Sequence, residues 1–261
     1  MEIERKTQND FTEEEYTRLL ELASRKYTFA HYDEKPPGPF VCWRHDVDYS
    51  PQRALSMARI EAERSLKCIY HVYLNGRYYS VFEPPVTAIF RKIAELGHVL
   101  GLHFDMEVLG AGENTETDWI LDRIDFEKSV LEKLLHQPMR SISFHNYVLN
   151  QERLMRADSI HGMINVCSPP IWEGYKYVSD SNGIWRHERL CDVLSGEPYA
   201  RLHVLTHPVW WTPASQTPME RLKRAVEGRA KAGIEFYLSL LRRDGRFEHI
   251  ADQIGLDRNK D

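Results

Sequence analysis

The chain has 261 residues, 42% hydrophobic and 28% charged, and its 34 basic against 39 acidic residues leave a formal net charge of -5. That balance suits a globular protein with apolar material for one large core or two small ones. It argues against nucleic acid as a partner, since no basic stretch is interleaved with aromatics, and no apolar run approaches the roughly 18 residues of a membrane span. The first ten residues, Met1 to Asp10, are polar and charged. They lack the apolar stretch of a signal peptide, which predicts a cytoplasmic location. Cys42, Cys68, Cys167 and Cys191 are far apart and form no C-x-x-C pair, so buried free thiols are expected rather than a cysteine zinc site.

In chain order, Thr12-Glu13-Glu14-Glu15 is a capping box opening a helix with Tyr16, Leu19, Leu20 and Ala23 on one face. Pro36-Pro37-Gly38-Pro39 stiffens the approach to an apolar strand beginning at Phe40. Helix and strand signals then alternate. A helix after Pro51 carries Ala54, Met57, Ala58 and Ala62, and a strand covers Cys68–Leu74. A helix at about 86–96 precedes the strand Val99–Phe104, and one at about 118–136 precedes Ser141–His145. Met163–Cys167, Lys176–Asp180 and Arg201–His207 read as further strands, and an amphipathic helix at about 218–243 follows. Strands separated by helices of ten or more residues imply parallel pairing. A (β/α) barrel, distorted or incomplete and seven-stranded, fits this length better than an open sheet. One domain is expected, with an N-terminal helical extension at about 1–39.

Chemistry is expected at the C-terminal strand ends, where such folds place it. The first strand ends in Arg44-His45-Asp46-Val47-Asp48. Alternation puts Asp46 and Asp48 on one side. Two carboxylates there either raise each other's pKa or share a cation, unless they are only a strand end followed by a helix cap. Three other strands end in histidine. His103 shares a face with Val99 and Gly101, which leaves room beneath its ring. His145 stands above Ser141 and Ser143. His207 stands above His203, for which a structural hydrogen bond is expected. His98, at a strand's start, reads as a cap on the preceding turn.

These residues resemble the motifs of the polysaccharide deacetylases (NodB homology, carbohydrate esterase family 4), in family order from about residue 40 to 210. His45-Asp46-Val47-Asp48 looks like the first motif, which implies Asp46 as general base and Asp48 as metal ligand. Gly97-His98-Val99-Leu100-Gly101-Leu102-His103 looks like the second, implying His103 as a ligand. Leu205-Thr206-His207 looks like the last, implying His207 as general acid. Ser179-Asp180-Ser181-Asn182-Gly183-Ile184-Trp185 sits where the family carries an Asp/Trp motif. The likeness is strongest to an atypical branch found near surface-polysaccharide biosynthesis functions, such as those of O-antigen and lipopolysaccharide. Two positions depart from it. Glu107 stands where the family has its second metal histidine, and Phe144-His145-Asn146-Tyr147 replaces an Arg-Pro-Tyr motif. His145 is therefore the proposed third ligand, with Glu107 and Asp105 as alternatives.

The resemblance implies a divalent metal, with zinc expected, and removal of an acetyl group from an N-acetylated sugar or surface-polysaccharide precursor. Asp180 is expected either to hold His207 in its charged form or to close the Ser-Asp-Ser-Asn-Gly turn. Tyr147, Trp185, Trp210 and Trp211 are candidate walls for a sugar ring, or core residues. A non-catalytic sugar-binding protein on a degenerate deacetylase scaffold and another metal-dependent amidohydrolase are the alternative readings.

Overall fold

The computed structural model describes residues 10–107, 115–145, 151–250 and 253. Helix α1 (Glu13–Ser24) starts as its capping box dictates: Thr12 accepts from the Glu15 backbone N–H at 3.1 Å, and Tyr16, Leu19, Leu20 and Ala23 are its buried stripe. The two residues of β1 (Thr28–Phe29) pair with the start of β2 (Phe40–Val47), all eight residues of which are buried. Continuous burial, rather than alternation, marks a parallel strand covered on both faces. Helix α2 (Pro51–Ala62) follows, with Ser50 as its N-cap and proline in its first turn. Then come β3 (Ile69–Tyr73), α3 (Pro84–Glu95), β4 (Val99–Phe104), α4 (Thr117–Leu135) and β5 (Ser141–Phe144). Four short or late strands complete the sheet: β6 (Ser159–Ile160), β7 (Met163–Asn165), β8 (Lys176–Ser179) and β9 (Arg201–Thr206).

Among the described residues the sheet has nine strands in the order β6-β7-β5-β4-β3-β2-β9-β8, with β1 beside β2, and every pair is parallel except β6–β7. Seven of these are the strands predicted from sequence; β1 and β6 are two-residue additions too short to show a period. The last-made strand, β9, inserts between β2 and β8. The path does not return on itself, so the barrel is incomplete. It is nevertheless strongly curled. Strands β2 and β5 lie three steps apart, about 14 Å on a flat sheet. Yet Ser143 Oγ on β5 reaches Asp46 Oδ1 on β2 at 3.2 Å. The floor of the concave side is apolar, with Phe40, Cys42, Ile69, Val99, Val166 and Ile171 packed together.

All four cysteines are free thiols, as expected, although Cys68 precedes β3 rather than lying within it. The chain divides into two compact units, Met1–Leu222 and Lys223–Asp261. The first contains the whole sheet. The second continues the helix Pro218–Arg243, whose bounds match the sequence expectation, and carries Lys223–Glu227 and Lys231–Glu235 ion pairs one turn apart. No helix among the described residues is long and apolar enough to cross a membrane.

Candidate active site

Strand register builds the site. Asp46 lies opposite His71 on β3, Tyr73 opposite His103, and His103 opposite Ser143. The curl turns these side chains towards one another, and Asp48, just past β2, rises above them. Asp48 Oδ1 lies 3.1 Å from His103 Nε2 and 3.6 Å from His145 Nδ1, and the two imidazole nitrogens are 3.1 Å apart. Asp48 Oδ1 is buried and, among the described residues, meets no donor in hydrogen-bonding geometry. Three lone-pair atoms from a carboxylate and two imidazoles, one of them unsatisfied, are a donor set suited to a divalent cation. Burial opposes the charge on Asp48, but the His103 and His145 imidazoles and the charge on His207 hold its carboxyl below the usual range. Its charge in turn raises His145 above the ordinary histidine value.

Of the alternatives for the third position, His145 is the one that joins this group. Glu107 is exposed, and its backbone N–H donates to Asp105 Oδ1 at 2.9 Å. Asp105 also accepts from the Tyr73 hydroxyl.

One layer deeper, Asp46 is only 2% exposed. Its Oδ2 lies 3.3 Å from Arg44 Nη2, and its Oδ1 lies 3.2 Å from both His71 Nδ1 and Ser143 Oγ. Burial alone would raise its pKa; the Arg44 guanidinium, His103 and His71 hold it well below the carboxylate range. His71 is kept neutral, pushed down to about 4 by burial. Its Nε2 meets Ser141 Oγ at 2.9 Å. A Cβ on Gly101 would come within 2.3 Å of His71 Cδ2. The space that Gly101 leaves is therefore filled by His71, arriving from the neighbouring strand, and not by His103. Sequence reading passes over Arg44 and His71. Alternation does place Arg44 on the Asp46 side, but only the register sets His71 opposite Asp46.

On the other flank, His207 Nδ1 and Asp180 Oδ1 are 2.6 Å apart, and the His207 backbone N–H donates to both Asp180 oxygens at 3.0 Å. Trp211 Nε1 donates to Asp180 Oδ2 at 2.8 Å. The Asp180 side chain caps no turn, so of its two expected roles it takes the bond to His207. Burial would lower the His207 pKa; the adjacent Asp180, then Asp48 and Asp46, bring it up to about 9. His207 Nε2 stands 3.9 Å from Asp48 Oδ2.

The aromatic candidates fare differently. Trp211 is fully buried with its N–H on Asp180, so it offers no face to a ligand. Trp185 stacks on Phe11 with ring centroids 5.2 Å apart, on the side of a 550 Å³ cavity lined by Asp10, Ile184 and Gln216 rather than by the histidines. Trp210 is 6% exposed and lies 6.0 Å from Tyr49, which packs on the partly exposed Tyr78. Tyr147 lies outside the described residues. His203 meets the Tyr32 hydroxyl at 2.9 Å, the structural bond expected of it. His98 is likewise structural: Nδ1 accepts from the Cys68 backbone N–H and Nε2 meets the Ala58 carbonyl.

A second metal-ligating group among the described residues, His45, Glu61 and Cys68, lies on the opposite face of β2 and is wholly buried. Glu61 already accepts from the Tyr16 and Tyr70 hydroxyls and lies 2.8 Å from His45 Nε2, while His45 Nδ1 meets Thr206 Oγ1 at 2.8 Å. The polar atoms of His45 and Glu61 are thus already held by one another and by neighbouring hydroxyls.

No protein-family model matches the chain, and no curated protein matches it. Among solved structures it is similar to a mutant of a carbohydrate esterase family 4 pseudoenzyme with restored enzymatic activity (13% identity, TM-score 0.44), over 76% of this chain and 65% of that one. The wild-type pseudoenzyme, from Bacillus anthracis, is similar at the same identity and TM-score, over 76% of this chain and 63% of that one. A Streptococcus pyogenes deacetylase in complex with acetate is similar at 14% identity and TM-score 0.42, over 81% and 85% of the two chains. The chain spans less than two thirds of the length of the pseudoenzyme chains.

Proposed function

We propose that this protein is a metal-dependent hydrolase that removes an acetyl group from an N-acetylated sugar, with a surface-polysaccharide precursor as the substrate class. The observation that carries this reading is the meeting of Asp48, His103 and His145 beside His207, whose Nδ1 is held by Asp180, at the C-terminal ends of the strands. Asp48, His103 and His145 would hold the cation, with zinc suited to two imidazoles and a carboxylate. Such an ion polarises a carbonyl and lowers the pKa of water.

The chain's own groups supply the proton traffic. Asp46 is an ionised carboxylate held in a fixed direction by Arg44 and Ser143, and it takes the base role that its motif implies. His207 is protonated at neutral pH because Asp180 sits against Nδ1, so Nε2 can give its proton to a leaving amine. Trp211 keeps Asp180 aimed at His207. Trp210 packs beside Tyr49 and, being buried, backs the partly exposed Tyr49 and Tyr78, which are the better-placed aromatics for a sugar face.

The test is acetate release from a panel of N-acetylated sugars, nucleotide-linked sugars and small amides by zinc-loaded protein. Acetate from the sugars, abolished by a chelator and by His103→Ala, is the expected result. Turnover of the small amides alone would favour a general amidohydrolase. Sugar binding without turnover would favour a binding protein on this scaffold.

A further inference from the structure

The side chain beneath the metal-ligating histidine is a serine bonded on both sides. Ser143 Oγ lies 2.7 Å from His103 Nδ1 and 3.2 Å from Asp46 Oδ1. A carboxylate only accepts hydrogen bonds, so the Ser143 hydroxyl proton points to Asp46. With that proton committed, the same oxygen can only accept from His103. Nδ1 of His103 must therefore carry a hydrogen. In a neutral imidazole this leaves Nε2 with a bare lone pair. Nε2 is the atom that faces Asp48 Oδ1 and His145 Nδ1.

We propose that Ser143 is a positioning residue which, anchored by Asp46, fixes the tautomer and direction of His103 so that Nε2 is presented to a divalent cation. This deepens the function proposed above and rests on its cation site. Three observations make the relay stiff. Ser143 and His103 are both buried, so water does not compete for the bonds. The direct His103 Nδ1 to Asp46 distance is 3.7 Å, too long to bypass the serine. Arg44 pins the other Asp46 oxygen, and His71, seated in the gap over Gly101, closes the remaining side. Asp46 thus acts on the site from below as well as beside it.

Zinc affinity tests the relay without any substrate. Wild-type protein and Ser143→Ala are titrated against a chromophoric zinc chelator. Loss of the hydroxyl is expected to weaken zinc binding by about 10–100-fold, while Ser143→Thr, which keeps an oxygen at that position, recovers most of it. Equal affinity in wild type and Ser143→Ala would overturn the relay and leave the cation site standing. Failure of the wild-type protein to bind zinc would overturn both. Should Ser143→Ala not fold, nitrogen-15 histidine spectra of the zinc-loaded wild type decide the matter. A proton on Nδ1 of His103 is the expected result, and one on Nε2 overturns it.

Discussion

At the residue scale, each of the two inner aspartates has a distinct set of partners, and each set predicts a different defect. Asp46→Asn keeps an oxygen that can accept from Ser143, so zinc stoichiometry should stay at the wild-type value. Turnover should fall by about 10²–10⁴, the usual weight of a general base. Zinc content by atomic emission and acetate release on the same sample check this pair of outcomes; zinc lost with the carboxylate would exchange the roles of Asp46 and Asp48. Asp180→Asn removes the charge that raises His207 to about 9. The acid form of His207 is present below its pKa and lost above it. The alkaline limb of the pH–rate profile should therefore move to lower pH in the variant, with at least about a tenfold loss at pH 8.

Much of this pairing is legible in the sequence, because parity along a strand is local. Asp46 with Asp48, Ser143 beneath His145, and the histidines at strand ends follow from alternation alone. The contacts of Arg44, His71 and Trp211 do not. A histidine in an apolar strand looks alike whether it faces a helix or an aspartate, and a tryptophan near a site looks like a wall until its N–H is found on Asp180.

At the scale of elements, close approaches between strands and helices set the tolerance for change. Gly101 on β4 lets the His71 ring lie across the strand. Gly101→Ala should displace that ring and destabilise the protein by about 1–3 kcal/mol, the usual cost of overpacking. Chemical denaturation checks it, and wild-type stability would show that His71 shifts freely. Helix α4 carries a second marker. Glu127 is buried against Asn75 Nδ2 at 2.5 Å and Arg123 Nε at 3.1 Å, and burial outweighs both partners and pushes it up to about 7. The folded state thus binds this proton more tightly than the unfolded chain. Its contribution to stability is complete below the unfolded value near 4.5 and is lost as pH rises through about 7. Glu127→Gln should remove that loss, making the variant more stable than wild type at pH 8 and level with it near pH 4. Denaturant midpoints across that range measure the difference. The seven longer strands and helices α1 to α4 are legible because each is an apolar run or a clear stripe; the short helices Glu152–Arg156, Pro169–Trp172 and Leu190–Ser195, and the two-residue β1 and β6, carry no period to read.

At the scale of the whole molecule, a cation that binds only the folded chain adds RT ln(1 + [L]/Kd) to its stability. With zinc at a hundred times its dissociation constant this is about 2.7 kcal/mol, and the thermal midpoint should rise by several degrees and fall back on chelation. Asp48→Asn should abolish the zinc-dependent rise. Calorimetry with and without zinc gives the answer, and an unchanged midpoint in the wild type would remove the site.

The strand order also has a temporal meaning. β2, which bears Arg44 and Asp46 and leads into Asp48, lies between β3 and β9. During synthesis β3, β4 and β5 can add to one edge as they emerge, but the other edge waits until residues 201–206 are made. For that interval the growing chain presents a long unpaired strand edge, the feature most prone to wrong pairing with other chains. His207 arrives with the strand that covers it. The step that completes the candidate acid is also the step that covers this edge of β2.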